Sequence, residues 1–219
     1  MSRFSFGIIG ASGKMGKEIQ SVMEDAGHRF VFAYDINQCL QESNPNVLID
    51  FSLPEVLDRT IAYASVFNSP LVIGTTGYTE SQSDKIRELS KTIPVVQSYN
   101  FSIGIQMLIK CTELLSANLT DWDVEISETH HRFKKDKPSG TAIMLKNAVG
   151  KDVNISSLRL GNVPGEHTVS FGGLGEVISL SHSATSRRTF AEGVLKASEF
   201  AHRQKEPGLF SFRDVLFTK

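Results

Sequence analysis

The chain has 219 residues, 40% hydrophobic and 21% charged, with 23 basic against 24 acidic side chains and a net charge of -1. That length buries a sizeable core as one large domain or two small ones, and the even charge balance argues against a nucleic-acid or membrane-surface partner. No apolar run approaches the roughly 18 residues of a membrane span, and Cys39 and Cys111 have neither a CxxC partner nor metal-ligand spacing, which leads us to expect a soluble protein of the reducing cytoplasm without a metal centre.

The first hundred residues alternate short apolar runs with amphipathic segments. "FSFGIIG" (4–10) is too short and glycine-bound for a signal peptide and is expected to be a first strand. Met15, Ile19, Val22, Met23 and Ala26 then recur at helical spacing, with Gly27 placed to stop the helix. "RFVFAYD" (29–35), "NVLIDFS" (46–52), "PLVIG" (70–74) and "PVVQS" (94–98) supply four more strands. Ser52-x-x-Glu55, with Pro54 in the first turn, and Thr79-x-x-Gln82 have the spacing of helix capping boxes. Apolar strands separated by helices predict a parallel, doubly wound sheet.

Ligands of such sheets bind at the carboxyl ends of the strands. The first of those ends carries Gly10-Ala11-Ser12-Gly13-Lys14-Met15-Gly16 between a strand and a helix. Glycines there let the backbone approach a pyrophosphate, and the helix N-terminus offers unpaired N–H groups. Asp35 follows Gly16 by 19 residues, at the end of the second strand, where a carboxylate accepts from a ribose diol. The triplet alone is a weak signal, because its spacing departs from GxGxxG. In this strand–turn–helix setting it predicts a nicotinamide-dinucleotide domain.

After residue 100 the pattern changes. "SIGIQMLIKCTELLSA" (102–117) predicts a helix with a buried face, and "WDVEISE" (122–128) alternates Trp122, Val124 and Ile126 with polar residues, as a half-exposed strand does. "SSLRLG", "EHTVSFGG" and "EVISLSHSA" predict further strands, the last two joined by a glycine-rich hairpin at 172–175. A second, smaller α+β domain with a mostly antiparallel sheet is expected over 102–186. Residues 188–204 return to helix.

Between the strand ending near Glu128 and the next helix lies "ETHHRFKKDKPSGTA" (128–142): two histidines, then Arg132, Lys134, Lys135 and Lys137, then a Pro-Ser-Gly-Thr turn. Ser139 is placed as N-cap and Gly150 as stop, so the amides of Gly140 and Thr141 open a helix N-terminus beside four cations, an anion site. The imidazoles add groups able to donate a proton near neutral pH. A helix cap and solvated lysines account for each part singly; their convergence within 12 residues points to a functional site. Phosphate, carboxylate and dicarboxylate all fit such an anion site.

"GASGKMG", "VLIDFSLPE", "VIGTTGYTE", "YNFSIGI", "ETHHRFKKDKPSGTA", "VPGEHTVSF", "SRRTFAEG" and "PGLFSFRDVL" together resemble the dihydrodipicolinate (4-hydroxy-tetrahydrodipicolinate) reductase family of diaminopimelate and lysine biosynthesis. The resemblance spans nearly the whole chain, and its most specific element is His-His-x-x-Lys-x-Asp-x-Pro-Ser-Gly-Thr-Ala. It implies a Rossmann-like dinucleotide domain (1–101 and 187–219), a substrate and oligomerisation domain (102–186) and a homotetramer. It also implies hydride transfer from NADH or NADPH to C4 of the ring after loss of the 4-hydroxyl, with a proton delivered to the neighbouring carbon. By the same resemblance His130 is the proton donor and Lys134 a second acid and charge partner, while His131, Gly140 and Thr141 hold a substrate with two ring carboxylates. Gly10, Ala11, Ser12, Gly13, Lys14 and Met15 take the pyrophosphate and adenosine side. Gly74, Thr75 and Thr76, with Ser98, Tyr99, Asn100 and Phe101, line the nicotinamide.

Three features depart from the family pattern. The segment 36–45 is short, where longer members carry an additional helical segment. Ile36 follows Asp35, where members that grip a 2′-phosphate often have Arg, so NADH is expected to serve at least as well as NADPH, with Lys14 a partial compensation. Phe133 and Lys137 replace residues more often His and Ala. Two other classes account for parts of the sequence: another NAD(P)-dependent reductase of a small amino or imino acid, which leaves the histidine–lysine string unexplained, and a nucleotide sensor without catalysis, which has no use for both His130 and Lys134.

Overall fold

The computed structural model describes residues 3–35 and 38–217; Ile36 lies outside them. In chain order the elements are β1 (Ser5–Ile9), α1 (Lys14–Asp25), β2 (Arg29–Asp35), β3 (Gln38–Gln41), β4 (Val47–Asp50), a 3-10 turn (Pro54–Val56), α2 (Leu57–Phe67), β5 (Leu71–Ile73), α3 (Glu80–Leu89), β6 (Pro94–Gln97), α4 (Ile103–Asn118), β7 (Asp123–His130), α5 (Gly140–Val149), β8 (Asn154–Arg159), β9 (Glu166–Gly172), β10 (Val177–Ser183), α6 (Arg188–Arg203), β11 (Gly208–Ser211) and α7 (Phe212–Phe217). Two compact units divide the chain, residues 1–101 with 190–219, and residues 102–189.

The first unit holds a seven-stranded sheet of order β11-β6-β5-β4-β1-β2-β3. All neighbours are parallel except β2 and β3. Every residue of β4 and β5 is buried, as strands covered on both faces must be, hence their unbroken apolar runs. Strand β3 is exposed throughout and pairs antiparallel at the edge; its sequence, Gln-Cys-Leu-Gln, carries no burial signal. The order reverses between β1 and β4, so a crevice opens at their carboxyl ends.

Local chemistry sets most element ends. Helix α1 buries Ile19, Val22 and Met23 and stops at Gly27, whose φ of +85° suits glycine. Thr79 and Gln82 form the capping box of α3, the Gln82 amide donating to Thr79 Oγ1 at 3.2 Å and the Thr79 amide to Gln82 Oε1 at 2.9 Å. The expected Ser52–Glu55 box does not form. Neither the 3-10 turn nor α2 has a side-chain cap, because the Ser52 hydroxyl donates to the buried carboxylate of Asp50 at 2.6 Å. The charged acceptor holds that hydroxyl at the strand end.

The second unit is a four-stranded mixed sheet of order β10-β9-β7-β8. Strands β7, β9 and β10 are antiparallel, and β8 runs parallel to β7, the crossover between them being α5. The α4 and α5 helices share a core with Ile126, Val169 and Phe171 on one face of the sheet. Ser139 caps α5 as expected, accepting from the Ala142 amide at 3.2 Å, and Gly150 ends it at φ +76°.

Candidate active site

In the first unit the glycine turn, β2 and the end of β4 enclose a cavity of roughly 280 Å³ lined by Gly10, Ser12, Gly13 and Asp35, together with Tyr34, Phe51, Ser52, Leu53 and Val56. Two glycines are dictated by close approach. A Cβ at Gly16 would lie 2.2 Å from the Gly10 carbonyl oxygen, and one at Gly10 would lie 2.5 Å from that of Phe51. Gly13 caps α1 with no side-chain acceptor, so the turn presents backbone donors to an anion at the helix N-terminus. Asp35 accepts from the Ser12 amide at 3.2 Å and from its hydroxyl at 2.8 Å, which ties the glycine turn to the end of β2. A tight glycine turn, a helix N-terminus and a carboxylate bordering one cavity fit a dinucleotide. Ala11, Lys14 and Met15 belong to the same turn and first helical residues without lining the cavity.

The other expected nicotinamide contacts lie at the next two strand ends, outside that cavity's lining. Gly74 follows β5 under the Phe51 ring, where a Cβ would meet ring carbons at 2.1 Å. Thr75 is buried and donates to Asp50 Oδ1 at 2.9 Å, whereas Thr76 is exposed. After β6, the Ser98 hydroxyl donates to the Asn100 carbonyl at 2.9 Å. Tyr99 is 66% exposed, and Phe101 is 2% exposed, its ring packed on Phe51 and Phe212. What organises these turns is Asp50. Its fully buried carboxylate accepts from the Ser52 amide (2.9 Å) and the hydroxyls of Ser52 (2.6 Å), Thr60 (2.7 Å) and Thr75 (2.9 Å). Tyr78, beside it, has its phenol pushed up by burial and by the Asp50 charge.

The second unit gathers its polar side chains at the ends of β7, β8 and β9. Strand β7 runs on to His130, so the alternation that buries Ile126 also buries Glu128 and His130. Glu128, 1% exposed, holds His130 Nδ1 in a tight hydrogen bond and pairs with the Arg159 guanidinium, whose Nη1 is 2.9 Å from Oε1 and 3.0 Å from Oε2. Burial pushes the Glu128 carboxyl up, but hydrogen bonds from Ser157, His130 and Arg159 outweigh it and hold the group below its usual range. His130 is lowered by burial, an effect that the Glu128 charge opposes.

His167 stands edge-on to His130, with ring centroids 5.1 Å apart, and its Nε2 is 3.3 Å from Ser139 Oγ. The Ser139 hydroxyl therefore meets both the Ala142 amide and the His167 ring. Burial, and then His130, lower the His167 pKa to about 3, so the ring is neutral at physiological pH. His167 thus links the N-terminus of α5, where Gly140 and Thr141 begin the helix, to His130. Lys134 pairs with Asp136 at 2.9 Å. His131 lies with its ring 6.4 Å from Phe133 and its buried Nδ1 without a partner among the described residues. Of the four cations expected beside the N-terminus of α5, Arg132, Lys135 and Lys137 are exposed and Lys134 is half-buried. Arg159, from β8, is more buried than Lys134, their side chains being 14% and 25% exposed. Donor atoms of Glu128, His130 and His167 lie within 4.8 Å of one another, a spacing open to a metal ion, but the guanidinium already on Glu128 opposes a cation there.

Sequence reasoning missed Glu128, Arg159, His167 and Asp50. The first three had a signal in the period-two alternation, which puts Glu128 and His130 in line with Val124 and Ile126, Arg159 in line with Ile155, and His167 in line with Val169 and Phe171.

A doubly wound sheet with a dinucleotide-shaped glycine turn, in a chain with a buried histidine–carboxylate pair next to a helix N-terminus, defines a nicotinamide-dependent oxidoreductase. Residues 4–101 match the model of the dihydrodipicolinate reductase N-terminus, and residues 104–216 that of its C-terminus. A 4-hydroxy-tetrahydrodipicolinate reductase of Thermosipho africanus is 49% identical over 96% of this chain and 97% of its own, and one of Clostridium novyi is 38% identical over 97% and 98%. The fold is similar to dipicolinate-bound dihydrodipicolinate reductase from Paenisporosarcina sp. TG-14, with a TM-score of 0.76 at 24% identity over 96% of this chain and 98% of that one. This chain belongs to the dihydrodipicolinate reductase family and is an NAD(P)H-dependent oxidoreductase.

Proposed function

We propose that the chain reduces 4-hydroxy-tetrahydrodipicolinate, by way of dihydrodipicolinate, to tetrahydrodipicolinate, with His130 as proton donor. The named relatives support the reaction. The observation that carries the residue roles is the single network joining His130, through His167 and Ser139, to the N-terminus of α5. The amides of Gly140 and Thr141 at that terminus bind one ring carboxylate, and His131 and Lys134 bind the substrate alongside them. When bound, the dinucleotide supplies hydride. The chain's own part is to neutralise the dicarboxylate and to deliver a proton from His130 Nε2 to the carbon beside the reduced centre. An acid already in place quenches charge as it develops and requires no rearrangement at that moment.

Residues 1–101 and 187–219 form the dinucleotide domain in this scheme, and 102–186 the substrate domain. Gly10, Ala11, Ser12, Gly13, Lys14 and Met15 hold the pyrophosphate and adenosine side. Gly74, Thr75, Thr76 and Ser98, Tyr99, Asn100, Phe101 face the nicotinamide, the buried Thr75 and Phe101 doing so through backbone. NADH serves at least as well as NADPH, because the Asp35 carboxylate lines the cavity and repels a 2′-phosphate. Ile36→Arg then raises kcat/KM for NADPH relative to NADH; an unchanged ratio moves the selectivity to Lys14 or elsewhere. A homotetramer through the second unit's sheet is favoured by its uncovered face, where exposed Leu158 and Val177 accompany paired hydroxyls, Thr168 with Ser181 and Ser170 with Ser179. Both cysteines are exposed free thiols, in keeping with the cytoplasm.

The deciding experiment follows loss of nicotinamide absorbance with NADH and with NADPH, the substrate being generated in situ by its synthase. Turnover with NADH at least equal to NADPH is expected. Absence of turnover with both, alongside tight dinucleotide binding, would favour a nucleotide sensor.

A further inference from the structure

The proposed acids, His130 and Lys134, sit on dissimilar supports: His130 ends a strand, and Lys134 lies in the loop that follows. A proton donor and a charge partner act together only if their separation is held to a fraction of an ångström. Side-chain packing does not explain how this loop is held, since its neighbours Arg132, Phe133, Lys135 and Lys137 are exposed.

One guanidinium reaches both supports. Arg159 Nη1 binds the carboxylate of Glu128 at 2.9 and 3.0 Å, and that carboxylate holds His130 Nδ1. Its Nε donates to the Lys134 carbonyl at 3.3 Å, and its Nη2 to the Asp136 carbonyl at 2.5 Å. Those carbonyls bracket residues 134–136, the span closed by the Lys134–Asp136 ion pair. Arg159 is itself fixed by the pairing of β8 with β7, in which it stands opposite His130. The planar fork of guanidinium donors suits this arrangement, and a lysine ammonium lacks it. The hydrogen bond at Nδ1 sets the tautomer, leaving Nε2 as the exchangeable site. Nε2 faces Gly165, where a Cβ would stand only 3.1 Å away.

We infer that Glu128 and Arg159 form a positioning pair for the reduction, Glu128 orienting the His130 imidazole and Arg159 locking the Lys134 loop to that same carboxylate. The inference rests on the roles proposed above for His130 and Lys134. Neither Glu128 nor Arg159 exchanges a proton with substrate; each acts through another residue.

The charged and titratable groups around His130 are Glu128 on its own strand, Arg159 on β8, His167 on β9 and Lys134 in the loop. Of these only Glu128 raises its pKa. His130 must be protonated to act as an acid, so activity falls as pH rises through its pKa. Loss of the Glu128 charge lowers that pKa and moves the alkaline limb to lower pH. In full-length enzyme, Glu128→Gln should reduce kcat at least about 10-fold, leave the substrate KM within about threefold and shift the alkaline limb downward. Arg159→Lys keeps the charge and loses the fork, so kcat should fall about 10-fold with the limb in place. A purely structural role would lower the amount of active enzyme in both variants and move neither limb nor the KM–kcat split. Nitrogen-15 histidine spectra of the wild-type enzyme give a second test that survives poor folding of a variant: neutral His130 should carry its proton on Nδ1. Wild-type kcat in both variants, an unmoved limb in Glu128→Gln, or an Nε2–H tautomer would overturn the inference. Inactivity of the wild type with both nucleotides would instead defeat the reaction assignment, while the spectra still report on the positioning pair.

Discussion

Each unit buries a carboxylate at the end of a central strand, and the two are solvated in opposite ways. Asp50, in the first, is held by three hydroxyls and an amide. Glu128, in the second, is held by the Ser157 hydroxyl and also by an imidazole and a guanidinium. The Asp50 donors carry no charge, and with them Asp50 serves as a tether drawing together the turns after β4 and β5. Titratable and charged partners make Glu128 responsive: what it binds depends on protonation, and it biases that protonation in turn. The difference separates a binding scaffold from the site proposed to move protons.

The largest expected effect lies on the responsive side. Lys134→Ala should lower kcat by about 10²-fold or more while dinucleotide affinity stays normal, because the substitution removes charge from the substrate site alone; near-normal kcat would remove Lys134 from the chemistry. On the tether side, Asp50→Ala should destabilise the protein by about 3 kcal/mol, measured by urea unfolding, since it removes the acceptor of three hydroxyls and an amide and leaves the buried Thr60 hydroxyl only a long bond to the Val56 carbonyl. Its effect on kcat should come through weakened dinucleotide binding. A stable variant with normal affinity would abolish the contrast between the two carboxylates.

A smaller effect sharpens the contrast through pH. Burial holds the His167 pKa at about 3, against 6.5 for an unperturbed histidine. Between those values the unfolded chain binds a proton that the folded chain does not, so stability from this group is complete above about pH 6.5 and is lost as pH falls toward 3. The slope is at most about 1.4 kcal/mol per pH unit. His167→Gln should flatten the decline in unfolding free energy between neutral and mildly acid solution; an unchanged decline would show that His167 is already charged in the fold.

The doubly wound sheet was legible because its strands are buried on both faces and advertise themselves as apolar runs. Strand β3 was not, being an exposed edge of polar residues. Thr79 and Ser139 announced their caps, whereas Ser52 had the right spacing but its hydroxyl is held by Asp50 two residues away. In the site, the string from His130 to Thr141 stood out by composition. Arg159 and His167 come from other strands, and only pairing of β7 with β8 and β9 brings them to His130. A charge becomes informative once its burial is known, and burial is a property of the sheet rather than of the local string.

The central claim is that the dicarboxylate binds at the N-terminus of α5 beside His130. Amide and histidine NMR of the dinucleotide-loaded enzyme, titrated with dipicolinate, tests it most directly. The account predicts that the Gly140 and Thr141 amides and the His130 and His131 rings shift together and saturate at one concentration. Shifts confined to the glycine turn of the first unit, with α5 unmoved, would contradict it.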